Sequence, residues 1–166
     1  MKKRSFTLLE LMAAIGLIMV LAAITYGGIT YASARAQEAK TIATMEDFMT
    51  ALEAFKQDYG FYPIIDNSEA KQVDLSQEGW KLFMNEKSGV TNKKNRAYME
   101  GDLGELLDGY GQAFWYKYPG TKNSAKYDLW STGKDKYHGD KKKNGSNEKD
   151  KAGANESDDI CSWKQR

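Results

Sequence analysis

The sequence predicts an α+β protein with a long N-terminal α-helix, half transmembrane and half packed, and a small C-terminal antiparallel β-sheet head. Three observations predict this class. Residues 11–34 contain no charged residue, and an apolar stripe at helical spacing continues to Tyr59. Two β-rich runs then flank a connection containing Pro and Gly. A chain of 166 residues suits one small globular domain carrying an apolar segment.

The uncharged segment is long enough to cross a membrane. As a helix, its 24 residues would span about 36 Å, against a hydrocarbon layer of ~30 Å. The chain from Arg35 onward is polar enough to be soluble. We therefore expect a single-pass anchor over residues 6–34 and a soluble domain over residues 35–166.

The basic cluster at residues 2–4 indicates the orientation of the anchor. By the positive-inside rule, the N-terminus stays cytoplasmic. An ordinary secretory signal peptide is the alternative, with residues 11–24 as its apolar region and residues 32–34 as a small-residue cleavage site. Glu10 argues against it, because an unpaired carboxylate just inside an apolar segment costs about 2.5 to 3.5 kcal/mol on insertion scales. Such a residue needs a partner.

The junction between these two features resembles a known processing site. Residues 3–12 read Lys-Arg-Ser-Phe-Thr-Leu-Leu-Glu-Leu-Met, which resembles the leader and junction of prepilins and type II secretion pseudopilins. The resemblance implies that residues 1–5 are a cleaved leader. It also implies that prepilin peptidase, a membrane aspartyl peptidase, cuts between Ser5 and Phe6 and methylates the new amine of Phe6. Ser5 stands where the family usually has Gly.

After that cleavage, Glu10 would be the fifth residue of the mature chain. The amine of Phe6 in one subunit could then neutralise the Glu10 carboxylate of its neighbour inside a low-dielectric helical bundle. Such a pair would set the register of a filament.

The predicted helix continues beyond the membrane to Tyr59, a total of about 80 Å. Gly60 is predicted to be the C-terminal cap, and Pro63 disfavours further helix. Three glycines interrupt the apolar half, and they permit either bending on assembly or close helix packing. The apolar stripe of the second half comprises Ile42, Met45, Phe48, Met49, Leu52, Phe55 and Tyr59.

Segments of the head are similar to the major pseudopilins of type II secretion. Residues 55–63 look like their helix end and Tyr-Pro turn, residues 76–83 like their short second helix, and residues 108–114 like a characteristic turn. Two runs, 113–118 and 127–131, have the composition of a β-hairpin. The resemblance implies a pilin-like fold in which antiparallel strands pack on the helix stripe.

Two C-terminal segments resemble the calcium-binding loop of the major pseudopilins: residues 131–135 and 156–163. Ca²⁺ takes six to eight oxygen ligands, and carbonyls can join the carboxylates. The resemblance implies a Ca²⁺ ion held by the side chains of Asp135, Asp158 and Asp159 and by the carbonyls of Thr132 and Glu156.

Without the resemblance, three surface aspartates are usually solvated charges, and no EF-hand spacing is present. The insertion at residues 136–155, rich in Lys, Asn and Gly, is predicted to be a mobile loop between the ligands.

The sequence gives little support for an enzyme. His138 is the only histidine and lies in the polar insertion, where a solvated residue is expected. Cys161, the only cysteine, is expected to be a packed thiol and excludes an internal disulfide. Gly133-Lys134 lacks the upstream glycine of a P-loop. A formal net charge of +1 gives no reason to expect a nucleic-acid partner.

The resemblance implies a structural subunit of a type II secretion pseudopilus, which drives folded proteins across the outer membrane. Its implied partners are further copies of itself, other pseudopilins, prepilin peptidase, an inner-membrane assembly platform with its ATPase, and the outer-membrane secretin. The implied location is the inner membrane, with the head periplasmic and the assembled filament in the periplasm.

Two other functions stay open. One is a type IV pilus or competence pilin-like subunit acting in adhesion or DNA uptake, which would show a specialised binding face. The other is a membrane-tethered domain that never polymerises.

Overall fold

The computed structural model describes residues 7–66, 69–101, 103–139, 152–153 and 158–164. Its elements, in chain order, are α1 (Leu8–Tyr59), β1 (Lys71–Gln72), a 3₁₀ turn (Glu78–Trp80), α2 (Lys81–Met84), a second 3₁₀ turn (Asn85–Ser88), β2 (Trp115–Lys117), β3 (Asp128–Ser131) and β4 (Ile160–Cys161). The predicted α+β class is confirmed.

Helix α1 ends where the sequence predicts. Its last residue is Tyr59, and Gly60 follows with a positive φ of 82° while donating its N–H to the carbonyl of Lys56 at 2.7 Å. A left-handed residue directly after a helix is the usual glycine cap. The helix is unbroken at Gly16, Gly27 and Gly28, and a Cβ on any of them would have no neighbour within 4 Å. Bending on assembly and close helix packing both stay predictions for the assembled state.

The chain divides into two compact units, at Ala36 and Gln37. The stem, as we call residues 8–36, is helical throughout, and its large apolar side chains are exposed. The head, residues 37–164, contains the remainder of α1 and the sheet.

The head has a four-stranded antiparallel sheet with the order β1-β2-β3-β4. The predicted hairpin is present, since β2 pairs with β3 in a register that places Tyr116 opposite Leu129. The two outer strands have only two residues each. Sequence pattern did not predict them, because they are too short to show an alternation of apolar and polar residues.

The main core lies between α1 and the sheet. The predicted stripe is confirmed: Met45, Phe48, Leu52 and Phe55 are buried, and the remaining three members pack partly buried against them. Aromatic side chains from the other elements and loops of the head complete this core, namely Tyr62, Trp80, Phe83, Phe114, Tyr116 and Tyr127.

A second, smaller apolar cluster lies on β3 and β4, and it overturns one prediction. Trp130 and Cys161 are buried there, with Trp115 and Trp163 packed against them. His138 is only 2% exposed, and its Nδ1 accepts a hydrogen bond from Trp130 Nε1 at 2.9 Å. The prediction of a solvated His138 was wrong, because one residue in a polar segment can be buried when an indole N–H supplies its hydrogen bond. Cys161 is packed as predicted.

Candidate functional site

The stem presents a continuous apolar surface. Its fourteen large apolar residues between Leu8 and Tyr31 are 45% to 77% exposed. The helix is long enough and apolar enough to cross a membrane, and none of its most apolar window is buried. Exposed apolar area of this extent is unfavourable in water, so the stem requires lipid or other helices around it.

Glu10 is held at the start of this surface by Thr7. The Thr7 N–H donates to Glu10 Oε2 at 2.9 Å, and the Glu10 N–H donates to Thr7 Oγ1 at 3.2 Å. These reciprocal bonds form a capping box, which satisfies two N–H groups that the helix leaves unpaired. Sequence reasoning named Glu10 and missed Thr7, although a Thr followed three residues later by Glu is the signature of this motif. Ser5 and Phe6 lie outside the described residues.

The predicted acidic loop centres on Asp159, which is 4% exposed. Its Oδ2 accepts the N–H of Gly139 at 2.8 Å and the N–H of Gly153 at 2.9 Å. One carboxylate oxygen therefore holds both sides of the predicted insertion. The other oxygen, Oδ1, is buried and has no hydrogen-bond partner among the described residues.

The pKa of Asp159 is raised to about 6, mainly by burial. The two N–H donors oppose this rise, and the nearby charges of Asp158 and Asp135 add to it. A buried carboxylate oxygen without a partner is costly when charged. A proton or a cation at Oδ1 would remove that cost.

Asp135 and Asp158 lie together beside Gly133. The Asp135 N–H donates to Asp158 Oδ2 at 3.0 Å, and the Tyr137 N–H donates to Asp135 Oδ1 at 2.8 Å. Gly133 has a φ of +66°, and a Cβ there would be 2.9 Å from Asp158 Oδ2. Only glycine allows the two loop segments to approach this closely.

Four of the five predicted metal ligands fall within the described residues. Thr132 is buried, and Glu156 lies outside the described residues, as does most of the insertion 136–155. Among the residues that the structure describes, no three acidic, histidine or cysteine side chains are grouped closely enough to hold a metal ion. A cation at this loop would therefore need backbone carbonyls, which Ca²⁺ accepts readily.

Two family models match the chain. The model described as type II secretion system (T2SS), protein G, matches residues 29–163. The model described as the prokaryotic N-terminal methylation motif matches residues 1–26. The comparison with curated proteins gives no match.

Proposed function

The chain belongs to the type II secretion protein G family, the major pseudopilins, and we propose on this premise that it polymerises through its stem into a periplasmic pseudopilus. The single observation that carries this proposal is the stem, an apolar helix whose large apolar side chains from Leu8 to Tyr31 are 45% to 77% exposed. Lipid would cover this surface before assembly and the stems of other subunits after it. The family is structural, so the work of export falls to the assembled filament and not to a reaction at this chain.

Processing is the first step that the proposal requires. Prepilin peptidase would cut between Ser5 and Phe6 and methylate the amine of Phe6, and the match to the methylation motif over residues 1–26 supports this. The intact mass of the chain extracted from membranes tests it directly. A mature chain that begins with methylated Phe6 is expected. A chain that begins at Arg35 would instead be a secreted soluble protein, and a chain that retains Met1 would be a plain membrane anchor.

Assembly through Glu10 is the second step. The capping box holds the Glu10 carboxylate against Thr7 at the helix start. In the cleaved chain, Thr7 would be the second residue. We expect Glu10→Gln to leave cleavage intact and to reduce filament yield, because the neutral amide loses the charge that would pair with a neighbouring amine. Glu46→Gln, an exposed position on the head part of α1, is the matched control. Equal filament yields for both variants would contradict the role of Glu10.

A third part of the proposal is that the acidic loop of the head binds Ca²⁺. Asp135, Asp158 and Asp159 would supply carboxylate oxygens, and Thr132 and Glu156 would supply carbonyls. Because the three carboxylates are not grouped in the described structure, the loop would have to close around the ion on binding. The buried Oδ1 of Asp159 supports this, because it has no hydrogen-bond donor within the described part of the chain and such an oxygen suits a cation. The ion would neutralise the three aspartates and stabilise the loop.

Chelation tests the calcium proposal. Calcium at 100 times its dissociation constant stabilises a folded protein by about 2.7 kcal/mol, so a chelator should lower the melting temperature of the head. Asp159→Asn should abolish that response while keeping the size of the side chain. A wild-type melting temperature that does not respond to chelator would refute the calcium site and leave the filament proposal standing.

A further inference from the structure

The turn at residues 108–112 is in direct backbone contact with helix α1. The N–H of Gly109 donates to Thr41 Oγ1 at 2.9 Å, and the Thr41 hydroxyl donates to the carbonyl of Gln37 at 2.9 Å. A Cβ on Gly109 would overlap the Gln37 carbonyl oxygen. The turn therefore touches α1 at the first residues of the head.

Asp108 connects this turn to the sheet, and its two oxygens have separate partners. Oδ1 accepts the N–H groups of Tyr110 and Gln112, each at 2.8 Å, which fixes the shape of the turn. Oδ2 accepts the hydroxyl of Ser131 at 2.5 Å. Asp108 is 2% exposed, so water does not replace these bonds at low cost.

Ser131 extends the connection to the acidic loop. It is the last residue of β3, fully buried, and its Oγ accepts the N–H of Gly133 at 3.0 Å. Gly133 in turn packs against Asp158. The Ser131 hydroxyl has one proton, and donating it to Asp108 orients the oxygen to accept from Gly133. Hydrogen bonds linked in this way strengthen one another in a buried setting.

We propose that Asp108 is a positioning residue that couples the acidic loop to α1 at Gln37 and Thr41. The inference rests on the proposed calcium site, because calcium is the ligand whose binding would be transmitted. Calcium bound at Asp158 would hold Gly133 in place, and the Gly133 N–H would hold the Ser131 hydroxyl. That hydroxyl would in turn hold the Asp108 carboxylate, and with it the turn that contacts α1. Calcium bound to the head then rigidifies the beginning of the head part of α1, the helix through which subunits would assemble.

Hydrogen exchange on the full-length chain in detergent tests the coupling, with calcium chloride or a chelator as the only difference. Exchange is read at residues 131–135, which report on the loop, and at residues 36–45, which report on α1. Ser131→Ala removes the hydroxyl that links Asp108 to Gly133, and Asp108→Asn alters the carboxylate that accepts that hydroxyl's hydrogen bond.

Asp128→Asn is the matched control. Asp128 is also 2% exposed, and its carboxylate also accepts backbone N–H groups, those of Thr121, Lys122 and Asn123. These partners all belong to the connection within its own hairpin. The control therefore removes a buried carboxylate of the same kind without touching the path to α1.

In the wild type and Asp128→Asn, we expect calcium to slow exchange at both segments. In Ser131→Ala and Asp108→Asn, the calcium effect should be lost at residues 36–45. If calcium still slows exchange at residues 36–45 in a folded Ser131→Ala variant, the coupling is overturned but the calcium site is not. A wild type in which calcium slows exchange at neither segment would remove the site, and the coupling with it.

Coupling between two sites is reciprocal in binding free energy, which supplies a second measurement. Thr41→Val removes the hydroxyl at the α1 end of the connection. Thr41 is not one of the proposed calcium ligands, so any effect on calcium binding would have to pass through the connection. The calcium concentration for half-saturation should rise in this variant. An unchanged value would overturn the inference independently of the exchange data.

Discussion

The stem and the head use the same helix in opposite ways. In the head, α1 buries Phe48, Leu52 and Phe55 beneath a sheet, whereas in the stem the equivalent apolar residues face outward along the whole length. The hydrogen bonds that side chains of residues 7–31 make are local, reaching three or four residues along the chain. The head carries its own core within the chain, while the stem is suited to surroundings that other molecules must supply.

Truncating one leucine in each region should give the largest contrast. Leu52 is fully buried in the head, and Leu21 is 55% exposed in the stem. Leu52→Ala should destabilise the head by about 2 to 5 kcal/mol because it leaves a cavity. Leu21→Ala should leave denaturant unfolding of the head unchanged in detergent and act only on filament yield. Equal effects of Leu52→Ala and Leu21→Ala on unfolding of the head would contradict this difference between the head and the stem.

Adding one methyl group in each region should give the next largest contrast. Gly109→Ala would push into the Gln37 carbonyl and should cost about 1 to 3 kcal/mol, as overpacking usually does. Gly28→Ala meets nothing within 4 Å and should gain up to about 1 kcal/mol of helix propensity. Thermal melting of the two variants, measured in the same detergent, checks the sign of each change.

The parts of the fold that the sequence predicted are those that depend on local patterns of residues. The stripe from Ile42 to Tyr59, the glycine cap and the β2–β3 hairpin each show in spacing or composition over a few residues. The strands β1 and β4 do not, because two residues carry no period and their pairing depends on partners far away in the chain.

The candidate site was predicted by residue type, but its connections were not. Asp159 was named as a ligand, yet its burial and its bonds to Gly139 and Gly153 depend on how the insertion returns to the sheet. The turn at residues 108–114 was predicted, but the reach of Asp108 to Ser131 was not. Tertiary contacts of single polar residues leave no periodic signal in a sequence.

A pH titration of the calcium-free chain should give a smaller effect, confined to the head. The raised pKa of Asp159, about 6 against 3.8, means that the folded state binds its proton more tightly than the unfolded state. The stabilisation is present at low pH and is lost as pH rises through about 6. Melting temperatures between pH 5 and pH 7 should decline in the wild type. They should decline less in Asp159→Asn, and parallel curves would contradict the assignment to Asp159.

The smallest effect should come from the surface of the head. Lys126 Nζ lies 2.8 Å from Glu53 Oε1, with both side chains about half exposed. Lys126→Met should change stability by less than about 1 kcal/mol, because exposed ion pairs are screened by water and salt. Melting at low and high salt measures it. A loss comparable with that of Leu52→Ala would mean that surface charge contributes as much as the core.

The tryptophan cluster around His138 gives this protein an intrinsic fluorescent probe. Of the four tryptophans, only Trp80 lies in the main core. Trp130 donates the hydrogen bond to His138, and the Trp115 and Trp163 rings contact this pair. A Cβ on Gly153, which donates to Asp159, would lie 3.0 Å from the Trp163 ring. Ultraviolet emission from a Trp80→Phe variant therefore reports on the surroundings of the acidic loop without any attached dye.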